Sequence, residues 1–287
     1  MKTLIASLSH PLFFVSYLVA LSLLAVAGAV NYLGTSINYE LIAVSVSLIF
    51  LVYVINLIYD LKEDFVNRGE SAFFVLKHEK ILWSIIAVCI AVFVTVVIRQ
   101  KLSTYYFIIL MSGIFYSVPL FPWYNRGLKL YRFKSIPLVK NIIVASIWGT
   151  SLFVVPIIAT KAIIPNKAVI IVLIITAVVS SFINTVFNDI LDVSGDAVAG
   201  HKTLPFIFGE DKTYTFLTVI NSAWFVTALY LYFKEIINIG HIVFIFILTV
   251  YSFLYITGYR TESISKKTAR LISECDLLLI GTGLFFL

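Results

Sequence analysis

The sequence predicts an all-α membrane protein with about nine transmembrane helices, and two features of its composition carry that prediction. Of its 287 residues, 61% are hydrophobic and only 13% are charged. The mean hydropathy is +1.02, and the apolar residues are spread along the whole chain. Soluble domains contain about 25% charged residues, so the composition excludes a soluble globular protein. A nucleic-acid partner is excluded as well, because the net charge of +6 has no folded soluble face on which to act.

Nine apolar stretches are long enough, or nearly long enough, to cross about 30 Å of hydrocarbon as helices. The first is too long for the apolar core of a signal peptide, so we expect it to be retained as a span. Because the stretches follow one another evenly, we expect residues 1–287 to form a single transmembrane domain. The predicted spans are Pro11–Leu33, Tyr39–Leu61, Ile81–Val97, Ser103–Leu120, Ile136–Ala159, Lys167–Ile190, Thr213–Phe233, His241–Tyr259 and Ala269–Leu287.

The positions of the basic residues orient these helices. With nine spans and a cytoplasmic N-terminus, the connections after spans 2, 4, 6 and 8 face the cytoplasm. Sixteen of the 21 Lys and Arg residues fall on that side, which is the bias that cytoplasmic loops show in membrane proteins. The loops after spans 2, 4 and 6 are also long and polar, so we expect the active site to face the cytoplasm.

An acidic motif closes the second predicted span. Asn56, Asp60 and Asp64 are spaced at i, i+4 and i+8, so on a helix they stack on one face about 6 Å apart. Intervening apolar residues such as Leu57 and Leu61 occupy the other faces. The motif therefore predicts a polar stripe at the cytoplasmic end of this helix.

A second motif with the same spacing closes the sixth predicted span. It contains Asn188, Asp192 and Asp196, with Asn184 one step earlier and Asp189 next to the first asparagine. Two helices four spans apart thus end in the same pattern. This suggests an internal duplication in which spans 5–8 echo spans 1–4.

Carboxylates at the edge of the hydrocarbon are costly unless they pair with cations or bind a metal. Oxygen ligands without His or Cys suit Mg²⁺, which combines a few carboxylates with substrate phosphate oxygens. Two facing clusters therefore favour a diphosphate held between them by bridging Mg²⁺. The simpler alternative is two solvated helix ends whose acids pair with nearby Lys and Arg.

Basic residues close to both motifs could contact the remaining phosphate oxygens. Arg68 follows the first motif, and Lys202 follows the second. Arg132 and Lys134 lie in a basic loop before span 5, and Lys140 starts that span. Alternatively, each could serve only to orient the chain in the membrane. The candidates are Arg68, Lys202, Arg132, Lys134 and Lys140.

At these motifs the chain resembles the UbiA superfamily of intramembrane prenyltransferases. The run from Asn188 to Pro205 looks like that family's second Asp-rich motif followed by its Gly-x-x-Thr-Leu-Pro segment, and the run from Asn56 to Asp64 looks like its first. Tyr116-Ser117, with the basic loop beyond it, resembles another family signature. The chain departs from the pattern after Asp64, at His10-Pro11, and in an apparent insertion over Phe121–Lys129. These departures leave the acceptor open.

The resemblance implies a helical bundle around a central cavity and Mg²⁺-dependent transfer of a prenyl group from an isoprenoid diphosphate to a lipophilic acceptor, aromatic or lipid. It implies that Asp60 and Asp192 are catalytic, that Tyr116 lines the place where the allylic cation forms, and that Asn56 and Asn188 help to bind the substrate. Arg132 and Lys134 would neutralise the departing diphosphate. The implied Mg²⁺ ligands are Asp60, Asp64, Asp189, Asp192 and Asp196.

Two other functions fit parts of the sequence. A terpene cyclase on the same scaffold would ionise the same substrate without using an acceptor. A transporter would place its ionisable groups near the middle of the bilayer, whereas these carboxylates cluster at helix ends. Glu274 and Asp276 in span 9 lie slightly deeper, and we expect them to cap a helix or to pair with Arg270.

Overall fold

The structure is a computed structural model that describes residues 10–100, 104–124, 128–131, 134, 136, 138–164 and 166–287. The described chain is helical except for one short hairpin. The helices are α1 Pro11–Tyr32, α2 Tyr39–Tyr59, α3 Leu61–Asn67, α4 Gly69–Gln100, α5 Thr104–Ser117, α6 Val139–Thr160, α7 Lys167–Ala199, α8 Leu204–Phe208, α9 Glu210–Phe233, α10 Ile239–Arg260, α11 Lys266–Ser273 and α12 Asp276–Phe286.

The all-α membrane architecture predicted from composition is confirmed. Seven of the described helices (α1, α2, α4, α6, α7, α9 and α10) are long and apolar enough to cross a membrane. The fourth predicted span forms the shorter helix α5, and the ninth is divided into α11 and α12 at Glu274 and Cys275. The number of crossings and the side on which the N-terminus lies therefore stay predictions.

The hairpin was missed by the helical prediction. Strands β1 Phe121–Tyr124 and β2 Leu128–Tyr131 pair in antiparallel register, with Phe121 opposite Tyr131. They occupy the segment that departs from the UbiA pattern. Because the run contains a proline and several aromatic residues, it has poor helix propensity and fits a strand pair.

Polar side chains fix several helix starts. Asn38 accepts a hydrogen bond from the backbone N–H of Leu41 at the start of α2, and Asn166 accepts from Ala168 and Val169 at the start of α7. Such caps satisfy backbone donors that would otherwise lie unpaired at a helix end.

Close packing of small residues joins the helices that surround the site. Helix α6 packs along α7, α1 along α12, and α2 along α4. Gly149 of α6 lies so near α7 that an added Cβ would be 2.4 Å from the backbone nitrogen of Val178. Lipid tails are as apolar as the helix surfaces, so association depends on such close contact rather than on a hydrophobic driving force.

We expect Gly149→Ala to destabilise the bundle, because the new methyl group overlaps the backbone of α7 and overpacking costs about 1–3 kcal/mol. The midpoint of thermal unfolding in detergent should fall by several degrees. Gly258→Ala in α10 is the matched control, since its Cβ would meet only Ile264 at 3.4 Å. Equal midpoints for the two variants would contradict this account of the packing.

Candidate active site

The two acidic motifs face one another across a cavity of about 720 Å³. Nine helices contribute to its lining (α1 to α7, α11 and α12). Among the residues that the structure describes, eight carboxylic side chains line it, against six from Lys or Arg. The cavity therefore combines a high density of charge with a small excess of acid.

The first motif lies across a break between two helices. Helix α2 ends at Tyr59, and Asp60 has φ −96° and ψ 12° before α3 begins. The i to i−4 hydrogen bonds nevertheless continue, from Asp60 N–H to the Asn56 carbonyl and from Asp64 N–H to the Asp60 carbonyl, both at 2.9 Å. The prediction of one continuous helix was wrong, but Asn56, Asp60 and Asp64 all line the cavity.

The second motif lies on a single uninterrupted helix, as its spacing predicts. Helix α7 continues to Ala199 and ends where Gly200 adopts φ +78°. Asn188, Asp192 and Asp196 line the cavity on successive turns, and Asp189 lines it as well.

A close contact between α3 and α7 brings the motifs together. The Asn67 amide donates to the backbone carbonyl of Asp192 at 3.3 Å. A Cβ on Gly195 would overlap this amide, so the glycine leaves the space that the Asn67 side chain occupies against α7.

Lys134 is the cation that neutralises the first motif. Its ammonium lies 2.5 Å from carboxylate oxygens of both Asp60 and Glu63, and all three side chains are buried. Burial alone would lower the pKa of Lys134, but the two carboxylates raise it above its usual value. This lysine therefore stays charged inside the protein.

Lys140 has the same relation to the second motif. Its ammonium lies 2.7 Å from Asp189 and 3.7 Å from Asp196, and the neighbouring Asn141 amide donates to Asp189 at 2.9 Å. Two lysines that both follow the hairpin, Lys134 before α6 and Lys140 at its start, thus each hold one carboxylate cluster.

Asp192 is surrounded by three cations. The Arg68 guanidinium lies 3.3 Å from its carboxylate and the Lys266 ammonium 3.7 Å, while Arg270 donates a short hydrogen bond to it. Lys266 and Arg270 belong to α11, which sequence analysis did not connect with the motifs. The sequence feature that pointed to them is the concentration of basic residues around the junction of predicted spans 8 and 9.

Glu63 and His201 form a buried pair that sequence analysis also missed. The His201 imidazole lies 2.6 Å from the Glu63 carboxylate. Burial alone would raise the pKa of Glu63, but the bond with His201 and the charge of Lys134 lower it below its usual value. Glu63 lies between two motif aspartates and His201 follows the second motif, so their proximity to the motifs was the available signal.

Asp64 is buried beside Arg68, with 3.9 Å between the nearest charged atoms. Burial raises the pKa of Asp64 to about 6, because the arginine only partly offsets the loss of water and Asp60 adds repulsion. Among the described residues, no three His, Cys, Asp or Glu side chains are grouped closely enough to enclose a metal ion. The carboxylates are held by Lys and Arg instead.

The acids of α11 and α12 differ from the motif acids. Asn188 donates to the Glu274 carboxylate at 3.3 Å, and Ser180 donates to the Asp276 carboxylate at 3.1 Å. The expected pairing of these acids with Arg270 was wrong, because that arginine reaches Asp192 on the facing helix.

A smaller apolar chamber of about 210 Å³ continues from the cavity between α1, α2, α5 and α6. Tyr53, Tyr116 and Trp148 line both spaces and mark the boundary between them. Tyr116 thus lies where the charged cavity meets the apolar chamber.

The remaining predicted site residues are two basic ones. Lys202 is exposed and does not contribute to the cavity lining. The loop that carries it turns His201 inward instead, so the structure gives Lys202 no place in the site. Arg132 lies outside the described residues.

The fold and this cavity define a polytopic membrane protein with the architecture of the UbiA superfamily. A match to the VviA prenyltransferase family covers residues 14–259, and the chain belongs to that family. The resemblance drawn from the two motifs is therefore confirmed.

Solved structures support the fold over nearly the whole chain. A UbiA homolog from Archaeoglobus fulgidus, bound to DMAPP and Mg²⁺, has a TM-score of 0.62 at 17% identity, covering 98% of this chain and 99% of that one. A digeranylgeranylglyceryl phosphate synthase has a TM-score of 0.61 at 19% identity, with 100% of both chains covered. The apo UbiA homolog from Aeropyrum pernix K1 has a TM-score of 0.62 at 13% identity, covering 94% and 97%. No curated protein matches the chain.

We expect Glu63→Gln to destabilise the protein, because Lys134 and His201 would lose the charge that both contact. Disruption of a buried ion pair costs about 3–5 kcal/mol, so the unfolding midpoint in detergent should fall by about 5 °C or more. Glu79→Gln is the matched control, since this exposed side chain accepts only from Trp83 at 3.3 Å. An unchanged midpoint in Glu63→Gln would show that the cluster does not hold the motifs together.

Proposed function

We propose that this protein transfers a prenyl group from an isoprenoid diphosphate to a lipophilic acceptor, in a reaction that depends on Mg²⁺. The observation that carries the proposal is the pair of carboxylate clusters, each with its own lysine, at one end of a cavity that continues into an apolar chamber. A prenyl diphosphate has the same two parts, a highly charged head and an apolar tail.

The donor set fits Mg²⁺. Carboxylate oxygens dominate it. One of them, Oδ2 of Asp196, is buried, has no hydrogen-bond donor among the described residues and lies 3.7 Å from the Lys140 ammonium. Such an oxygen is poorly satisfied, and a hard cation is the partner that it prefers. The relative from A. fulgidus was solved with DMAPP and Mg²⁺. In this chain the residues that would hold the ion are Asp60, Asp64, Asp189, Asp192 and Asp196.

The ion pairs of the structure suggest how the site accepts a diphosphate. When bound, Mg²⁺ would neutralise negative charge on the leaving group. Lys134, Lys140 and Arg68 would then exchange their carboxylate partners for phosphate oxygens, so that each buried charge keeps a counter-charge. We assign Arg132 to the same task because it belongs to the same basic loop. Asn56 would complete the contacts with its amide, while Asn188, whose amide N–H groups bond to Asn184 and Glu274, would line the substrate site.

The apolar chamber suits the tail and the cation that ionisation leaves. Loss of diphosphate from an allylic carbon gives a carbocation, which water would capture and which aromatic faces stabilise. Tyr116, Tyr53 and Trp148 stand at the boundary where the first carbon atoms of the tail would lie. We therefore place ionisation at this boundary, with Asp60 and Asp192 on its charged side.

We also propose that the site opens to the cytoplasm, that residues 1–287 act as one domain, and that spans 1–4 and 5–8 arose by duplication. The bias of basic residues supports the orientation. The matching positions of Asn56-Asp60-Asp64 and Asn188-Asp192-Asp196 on opposite walls of the cavity support the duplication.

The first experiment measures diphosphate release and label transfer together. The detergent-purified protein is incubated with radiolabelled prenyl diphosphates of several lengths, with and without lipid extract from membranes. We expect release that requires Mg²⁺, stops when EDTA is added, and yields a labelled product only with the extract. A labelled hydrocarbon formed without extract would identify a terpene cyclase instead. No release with any donor would overturn the proposed function.

We expect Asp60→Ala and Asp192→Ala each to lower turnover at least hundredfold, because each removes an implied metal ligand from one of the two clusters. Asp211→Asn is the control, since this acid is exposed and pairs with Arg260 at 3.1 Å on the surface. Size-exclusion profiles should confirm that all three variants fold. Wild-type turnover in either aspartate variant would exclude the proposed two-cluster site.

A further inference from the structure

The proposed transfer needs a group that takes up a proton. When the acceptor's nucleophilic atom bonds to C1 of the prenyl group, the electron pair of the C1–O bond leaves with the diphosphate. The hydrogen on the nucleophilic atom must then leave as a proton. The motif carboxylates are poor candidates for this role, because they pair with Lys and Arg in the structure and would hold Mg²⁺ in the proposed reaction.

Acids at different depths along α7 have different kinds of partner. Asp192 pairs with cations, Asn188 one turn deeper donates to Glu274, and Ser180 two further turns along donates to Asp276. Each turn adds about 5.4 Å. Glu274 therefore lies one turn to the hydrocarbon side of the charged cluster, next to where C1 of a bound donor would lie.

Asp276 lies inside α12, whereas Glu274 lies at the junction between α11 and α12. Asp276 is in the first turn of α12, where the helix dipole favours a negative charge. Glu274 is the C-cap of α11, where the dipole disfavours one. Glu274 is half-buried, lines the cavity and makes no ion pair with any described residue. A carboxylate placed at such a cost near a membrane indicates a function.

We propose that Glu274 is the proton acceptor of the transfer reaction, held toward the cavity by the Asn188 amide. The inference rests on the proposed function and adds to it a class of acceptor. The acceptor must carry a hydrogen that it loses on prenylation, as an alcohol, a phenol or an electron-rich aromatic ring does. The Asn188 amide also bonds to the Asn184 side chain at 2.8 Å, which fixes its orientation and leaves Glu274 with lone pairs for the acceptor.

The test compares wild type with Glu274→Gln, which keeps the size and the hydrogen-bond acceptor but is not basic. Each is given radiolabelled geranyl diphosphate, Mg²⁺ and membrane lipid extract, and both released diphosphate and labelled product are measured. Loss of a general base costs about 10²–10⁴-fold, whereas ionisation of the donor does not require one. We expect product to fall at least hundredfold and the ratio of product to diphosphate at least tenfold, with prenyl alcohol replacing product.

Three results separate the possible roles of Glu274. An unchanged product rate would overturn the inference. Equal losses of product and diphosphate would overturn it too, since they would show that the carboxylate only stabilises the cation. Glu274→Asp should recover part of the ratio of product to diphosphate. Both variants should bind the donor and Mg²⁺ with an affinity within about twofold of wild type, which would show that they are folded. If wild type releases no diphosphate from a prenyl donor of any length, the proposed function itself fails.

Discussion

The structure depends on the pairing of carboxylates with cations beside hydrocarbon. An unpaired ion in this environment costs several kcal/mol. The buried carboxylates of the two clusters therefore stay ionised only because Lys134 and Lys140 contact them. These two pairs bring the start of α6 and the end of the hairpin connection onto α3 and α7. The same interaction that folds this end of the bundle also forms the charged part of the proposed site.

Helix α7 organises the rest of the site. It is 33 residues long, and its face toward the cavity carries Asp196, Asp192, Asn188, Asn184 and Ser180 at four-residue intervals. Groups of α6, α3, α11 and α12 contact Asp196, Asp192, Asn184 and Ser180, respectively. The side chains of α7 itself become less polar with depth, from the carboxylates of Asp196 and Asp192 to the amides of Asn188 and Asn184 and the hydroxyl of Ser180. A substrate with a charged head and an apolar tail would meet the same gradient.

Much of the site could be predicted, because its two motifs are local patterns. Spacing at i, i+4 and i+8 puts three side chains on one face of a helix whatever the helix packs against, and even the break at Asp60 preserves that alignment. The partners could not be predicted in the same way. Glu63 and His201 are 138 residues apart, and Arg68 and Asp192 are 124 apart. Nothing local distinguishes His201, which turns inward, from Lys202, which is exposed.

By itself, the sequence determined that the chain is a bundle of membrane helices with two acidic stripes, because hydrophobic length and helical period are properties of single segments. Only the tertiary structure decided which cation neutralises which carboxylate, that the ninth apolar stretch divides into α11 and α12, and that Glu274 lines the cavity with no salt bridge to any residue that the structure describes. The physical reason is that these outcomes depend on how closely the helices approach one another. That distance is set by contacts such as Gly149 with Val178 and Gly195 with Asn67, which join residues far apart in the chain.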